Sequence, residues 1–335
     1  MLRPILLCAS LCASTSALAG AANPSAAEQA AILAPSLFGD IQVQALMQEH
    51  SMSEFDAKEA NLGLKGGGQL PHFYLGYNLM AQYSNNLDDI EVRNAYAFLT
   101  AAPGTLFVGK SDSGSYQDVY SHVDIHPNLN AHGTGKQAPL HEQGKWADNT
   151  LGYASPWWHS GAGDLQLKTS VTPMESKSGN HGDVWMGRIN YRYDNIEAVL
   201  NYLNMAGDIG DQDETYHRTA MTLRGQFDAV KLVALAELTN NSFSHAQNTY
   251  VASASYQQDR WLWGISHQYK TFEDEQRFPA LGLTIASVRY QYWQDLSFYV
   301  EGAVYSDDPA DYVDFSQDRF AHAGNSLALG MLFSF

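Results

Sequence analysis

The sequence predicts an all-β fold: a transmembrane antiparallel β-barrel of about 16 strands, with a long third external loop folded into the lumen. Three observations lead there. Apolar and polar residues alternate with a period of two through most of the chain. The alternating segments are about ten residues long, the length a tilted strand needs to cross a bilayer. The connections between them alternate short and long. Alternation by itself also describes a soluble sandwich, but Greek-key crossings give no reason to keep the short–long rhythm along the whole chain.

The elements follow in order. Residues 1–19 read as a signal peptide: Arg3 opens it, Ile5, Leu6, Leu7 and Leu11 form its apolar stretch, and Ala17-Leu18-Ala19 is an A-x-A cleavage site near Ala19. Both cysteines, Cys8 and Cys12, fall inside it, so the exported chain has no thiol for disulfides or catalysis. Residues 20–38, rich in alanine, read as a periplasmic lead with no assigned function, and 39–335 as the barrel. Within the barrel the period-two pattern marks strands at 40–49, 59–66, 72–82, 91–100, 105–110, 149–155, 164–172, 183–193, 196–205, 216–227, 230–239, 248–257, 260–271, 283–293, 296–305 and 325–335. At the C-terminus, for example, Leu327, Leu329, Met331, Phe333 and Phe335 alternate with Ser326, Ala328, Gly330, Leu332 and Ser334. In a strand the two sets point to opposite faces. Boundary shifts of a few residues would also admit fourteen or eighteen strands.

Short connections such as Asp194-Asn195, Asp228-Ala229 and Gln258-Asp259 face long ones such as 206–215 and 306–324. With both ends periplasmic, the short ones are periplasmic turns and the long ones external loops; 156–163 is the one long connection on the turn side. Aromatics gather near segment ends, as Tyr191 with Tyr193 and Trp261 with Trp263 do. Girdles at the two membrane interfaces produce that distribution.

Composition removes other classes. The 36 acidic against 19 basic residues, a formal net charge of −17, exclude the clustered positive field of a nucleic-acid binder. The hydrophobic share of 45% excludes a disordered chain. After the first twenty residues no apolar run approaches the roughly 20 residues of a spanning helix.

The longest connection, 111–148, carries Asp112, Asp118, Asp124 and Glu142 and four histidines, His122, His126, His132 and His141. A barrel of this width encloses an aqueous channel, and a loop folded into it would narrow it. Arg93, Lys110, Arg188, Arg192, Arg218, Arg224 and Arg289 are assigned to the polar side of their strands. Facing lipid near the midplane each would cost roughly 2–4 kcal/mol, so they are expected to face water in the lumen, as a basic wall opposite the acidic loop. The alternative is that they pair with acidic neighbours along the wall.

Several stretches resemble the trimeric Gram-negative porins. These are Asn61-Leu62-Gly63-Leu64-Lys65-Gly66, Arg93-Asn94-Ala95-Tyr96-Ala97-Phe98-Leu99, Gly104-Thr105-Leu106-Phe107-Val108-Gly109-Lys110, Asn149-Thr150-Leu151-Gly152-Tyr153-Ala154-Ser155-Pro156 and the terminal Phe335. They span most of the chain in the family's order. The resemblance implies a sixteen-stranded homotrimer whose third external loop is a constriction, with Arg93 and Lys110 on the lumen wall facing it. It also implies that Phe335, with Phe333, is a C-terminal assembly signal. Two departures stand out: the loop lacks the Pro-Glu-Phe-Gly-Gly signature of enteric members, and Lys110 stands where Arg is common.

The expected function is passive diffusion of small hydrophilic solutes and ions across the bacterial outer membrane. A modest cation preference is expected from acidic loops such as 206–215 and 306–324. The expected surroundings are outer-membrane lipid and lipopolysaccharide, with no nucleic acid. A barrel serving as an adhesin or envelope anchor without an open pore is the alternative, and conductance separates the two. Ser155 and Ser160 flank His159, but no G-x-S-x-G elbow occurs, so no catalytic residue or enzyme activity is assigned. His122-x-x-x-His126 would suit a metal only on a helix; no metal and no cofactor is expected, and the loop histidines read as polar filler or a weak pH sensor.

Overall fold

The structure, a computed structural model, describes residues 34–49, 53–84, 89–130, 139–141, 146–175, 181–206, 215–242, 245–273, 279–306 and 324–335. The signal peptide, the lead as far as residue 33 and Glu142 lie outside the described residues. The strands are β1 (Ser36–Gln48), β2 (Glu54–Gln69), β3 (Tyr74–Ser84), β4 (Asp89–Ala101), β5 (Gly104–Asp112), β6 (Trp146–Ala154), β7 (Trp158–Ser160), β8 (Gly163–Glu175), β9 (His181–Tyr193), β10 (Ile196–Met205), β11 (Tyr216–Phe227), β12 (Val230–Ser242), β13 (His245–Gln258), β14 (Trp261–Phe272), β15 (Leu281–Gln291), β16 (Leu296–Tyr305) and β17 (Ser326–Ser334). The first begins at Ser36, inside the stretch read as a lead.

The wall runs antiparallel in chain order and closes where β1 pairs with β17. Gly39 and Phe335 exchange backbone hydrogen bonds of 3.0 and 2.9 Å across that seam. Both β6 and β7 pair with β8. They form one wall strand interrupted at Ser155–Trp157, where Pro156 has no N–H for the ladder. Ser155 repairs the break: its N–H donates to Leu167 O at 2.8 Å and its Oγ accepts from Leu167 N at 3.0 Å. The wall is therefore a closed barrel of sixteen strands. The long turn expected at 156–163 is in fact the end of a strand followed by a tight Gly161–Ala162 turn.

Other tight turns place Asp194, Asp228 and Asp259 at φ of 54°, 51° and 51°. Aspartate tolerates that left-handed region better than most residues and suits two-residue hairpins. The outer face is a band of exposed apolar side chains, among them Leu200, Met221, Leu232, Ile265 and Val300. Tyr193, Trp261, Trp263, Tyr292, Trp293 and Phe298 ring it near the short turns. The inner face carries the opposite parity: Gln44, Asn190, Asn201, Arg218, Glu237, Gln268 and Glu301 are all buried there.

Candidate functional site

Within the segment 113–141 the structure describes residues 113–130 and 139–141; the segment leaves β5 with Ser113 as N-cap of a one-turn helix, α1 (Gly114–Asp118), and Ser113 Oγ accepts from Tyr116 N at 3.1 Å. A 3-10 turn, Tyr120–His122, follows. From there the segment bonds to inner-face side chains of strands far apart in sequence. Asp118 accepts from Lys168 (β8) at 2.7 Å and from Arg188 (β9) at 2.5 Å. Tyr120 donates its hydroxyl to Glu237 (β12), and the Arg218 guanidinium (β11) lies 5.3 Å from its ring centre. His126 bridges Ser266 (β14) at 2.8 Å and Ser287 (β15) at 2.9 Å. Glu301 (β16) accepts from the backbone N–H groups of Asn128 and Leu129 at 2.6 and 2.7 Å. Lys58 (β2) donates to Pro127 O at 3.0 Å, and Gln268 (β14) accepts from Leu140 N at 2.7 Å.

Apolar contact accompanies these bonds. Val119, Tyr120 and Val123 pack with Val199, Ala220, Val233, Leu235 and Val251, which lie on the inner face of β10 to β13. Leu129 and Leu140 pack with Leu281, Leu283, Ile285 and Ala303 of β15 and β16. Apolar residues on the inner side of a wide barrel would be wasted on water; here the segment covers them.

Lys168 and Arg188 sit directly opposite each other across the β8–β9 ladder. Like charges in that position repel, and Asp118 sits between them. Burial pushes the Asp118 carboxyl up, but the two cations, with the hydrogen bonds they and Asn190 make, more than offset it and hold it below the usual range. Tyr116 donates to Asp124 at 2.6 Å, and its phenol is raised well above the ordinary value by burial and then by that carboxylate.

The expected basic residues separate by what they meet. Arg188, Arg218 and Arg224 meet the segment: Arg218 Nη2 is 3.3 Å from Ser115 Oγ, and Arg224 Nη1 is 3.4 Å from His122 Nδ1 while also pairing with Glu197. Arg93, also inner, bonds Gln82 and lies 3.9 Å from Asp112. Arg192 makes wall contacts instead, to Asp164 at 2.9 Å and over the Trp157 ring at 4.0 Å. Lys110 departs from the expectation. It pairs with Ala95 in the row that pairs Ala97 with Val108 and Leu99 with Leu106, and Leu106 and Val108 are exposed on the outer face. The register therefore puts Lys110 in the outer row, where it pairs with Asp148 at 2.9 Å. Strict parity from Val108 gives this answer; the family resemblance pointed the other way. Arg289 lies on the inner parity of β15 with Ile285 and Ser287.

Asp112, Asp118 and Asp124 thus each meet a named partner, and Glu142 is outside the described residues. Phe333 and Phe335 stack at 6.1 Å beside the closing seam. The sequence reading did not single out Glu237, Glu301, Lys168 or Tyr120. Their signal was present as charge at inner parity, and as Val233, Leu235 and Val251 standing on the polar side of their strands. Among the described residues no cluster of His, Cys, Asp and Glu suits a metal ion.

A family model for Gram-negative porins matches residues 13–316. A comparison with curated proteins gives no match. Among solved structures, Salmonella typhi OmpF in complex with daunomycin superposes with a TM-score of 0.74 at 15% identity, covering 91% of this chain and 98% of that one. An anion-selective porin from Comamonas acidovorans gives 0.67 at 16% identity, covering 90% and 99%. OmpT of Vibrio cholerae in its trimer form gives 0.65 at 10% identity, covering 90% and 99%.

Proposed function

The chain belongs to the Gram-negative porin family, and from that premise we propose a water-filled channel of the outer membrane for passive diffusion of small hydrophilic solutes and ions, narrowed by the segment 113–141. The observation that carries the narrowing is the set of bonds from that one segment to inner-face side chains on β2, β8, β9, β11, β12, β14, β15 and β16. These bonds support reading the segment as folded into the cylinder.

Hydrated charge supports the water-filled part. Near the short turns the ladder sets Asp164, Arg192, Glu197 and Arg224 side by side across β8 to β11. Their side chains are 25%, 38%, 22% and 32% exposed. Alternating charges in contact with water favour polar solutes over apolar ones and set ion preference. The overall charge of −17 supports a modest cation preference by focusing cations at the mouths. A homotrimer is supported by the trimer form of the Vibrio cholerae structure. Contact with lipopolysaccharide and export through cleavage near Ala19 complete the reading.

Planar-bilayer recording tests it. The reading expects steady ohmic current, and in a salt gradient a reversal potential displaced toward cations. Anion selectivity would end the cation preference, and absence of current would end the channel.

A further inference from the structure

The hydrated charges near the short turns pair unevenly. The ladder sets Asp164 (β8), Arg192 (β9), Glu197 (β10) and Arg224 (β11) side by side on the inner face. Side chains directly opposite start with their β-carbons about 5 Å apart, so Arg192 has a carboxylate on each side and Glu197 a guanidinium on each side. Each takes only one of its neighbours. Arg192 Nε donates to Asp164 Oδ2 at 2.9 Å, and Arg224 Nη2 donates to Glu197 Oε2. Two contacts hold Arg192 to its choice. Its guanidinium lies 4.0 Å from the centre of the Trp157 ring, and the other Asp164 oxygen is 2.7 Å from His159 Nδ1. A seam is left between Arg192 and Glu197. Among the described residues the two Nη groups of Arg192 and Glu197 Oε1 make no hydrogen bond. Both side chains meet water.

We propose that this seam is a low-affinity binding site for zwitterionic α-amino acids passing through the channel, with the solute carboxylate on the Nη edge of Arg192 and its ammonium on Glu197 Oε1. The proposal rests on the channel reading above and names a solute class for it. An arginine fork presents parallel N–H groups that match a carboxylate. With Nε taken by Asp164, the Nη edge is the one left for a solute. In an α-amino acid a single carbon separates carboxylate from ammonium, so two side chains facing each other across a ladder can hold both ends. Trp157 and Asp164 fix the guanidinium beforehand, which lowers the ordering cost of binding.

The charge balance selects the zwitterion. Asp164, Arg192, Glu197 and Arg224 carry no net charge as a set. A solute with only a carboxylate gains Arg192 but meets Asp164 and Glu197 beside it. A solute with only an ammonium gains Glu197 but meets Arg192 and Arg224. A zwitterion meets an opposite charge at each end, and like-charge contact rejects the other two. Exposure to water keeps the site weak, with half-saturation on the order of 10 mM. A channel needs that weakness, because the solute must also leave.

Two readouts test this at neutral pH. The first is independent of conduction: the carboxyl resonance of isotope-labelled L-serine is followed by NMR as the serine is titrated against the protein in detergent micelles. The line broadens saturably with the wild type. Arg192→Gln and Glu197→Gln each remove one charged bond and raise the half-saturating concentration at least about tenfold, while Lys110→Gln, altered on the outer row, behaves as the wild type. Glycolate and ethanolamine, which each carry one of the two charges, broaden at least about tenfold more weakly at matched ionic strength. The second readout is the current in planar bilayers, which L-serine added on the short-turn side lowers saturably in the wild type and not in Arg192→Gln or Glu197→Gln. Broadening that does not saturate, that survives in both variants, or that glycolate reproduces overturns the proposal. A protein that never conducts yet still binds serine through Arg192 and Glu197 would overturn the channel reading and leave the site standing; a conducting protein without that binding would do the reverse.

Discussion

Two stretches of one inner wall do different work. On β10 the inner-face neighbours Glu197 and Val199 are two residues apart, yet Glu197 is 22% exposed and Val199 is 2% exposed. The same division is seen on β11, where Arg224 and Ala220 share the inner face. Near the short turns of β8 to β11 the inner positions are alternating charges that meet water; further up β10 to β13 they are valine, alanine and leucine packed with Val119, Tyr120 and Val123. Parity alone says inward for both rows. What separates them is whether another part of the chain covers them, and residue chemistry follows: charge where water stays, aliphatic where it is displaced.

Substitutions that break the covered row should act most strongly. Tyr120→Ala removes a fully buried ring from the middle of the apolar contact and leaves Glu237 and Arg218 without it. We expect docking weakened by about 3–5 kcal/mol, read as rapid labelling of V199C at neutral pH. Glu301→Gln loses charge on two backbone bonds at the segment's far anchor, worth about 1.5–3 kcal/mol apiece at most. Current noise should rise while the barrel's detergent-resistant sheet signal is unchanged. Asp118→Asn leaves Lys168 and Arg188 facing each other; at about 1–3 kcal/mol it loosens α1 less, but it should move the reversal potential toward anions. Arg192→Gln, in the hydrated row, should cost below about 1 kcal/mol, with an effect on ion preference that fades at high salt. Lys110→Gln should leave ion preference unaltered, since the register places it on the outer row; a shift as large as that of Arg188→Gln would put it back in the lumen.

Much of the wall was legible because a strand's faces alternate strictly and a lipid-facing band tolerates few exceptions. All sixteen strands were placed within a few residues, and the misjudged 156–163 stretch has a local cause in Pro156. The charged pairs within the ladder follow from parity plus register; Arg192 with Asp164 needs no more. The stations of the 113–141 segment were not legible in the same way. Tyr120 meets Glu237, and Asn128 meets Glu301, only because the barrel closes and brings β12 and β16 round to a segment that left β5. Sequence spacing carries no such information. One trace was available: Val233, Leu235 and Val251 occupy inner parity with no water-facing reason to be aliphatic, and Val199 repeats the pattern on β10. Aliphatic side chains at inner positions of a wide barrel mark where something rests.

The most direct test compares two cysteines on one strand. A small charged, water-soluble thiol reagent is added at neutral pH to the protein in bilayers, with E197C and V199C prepared separately. The account predicts that E197C reacts quickly and changes the current, while V199C reacts slower by about a hundredfold, waiting on local opening of the segment. Equal rates at both positions, or no reaction at Glu197, would contradict it.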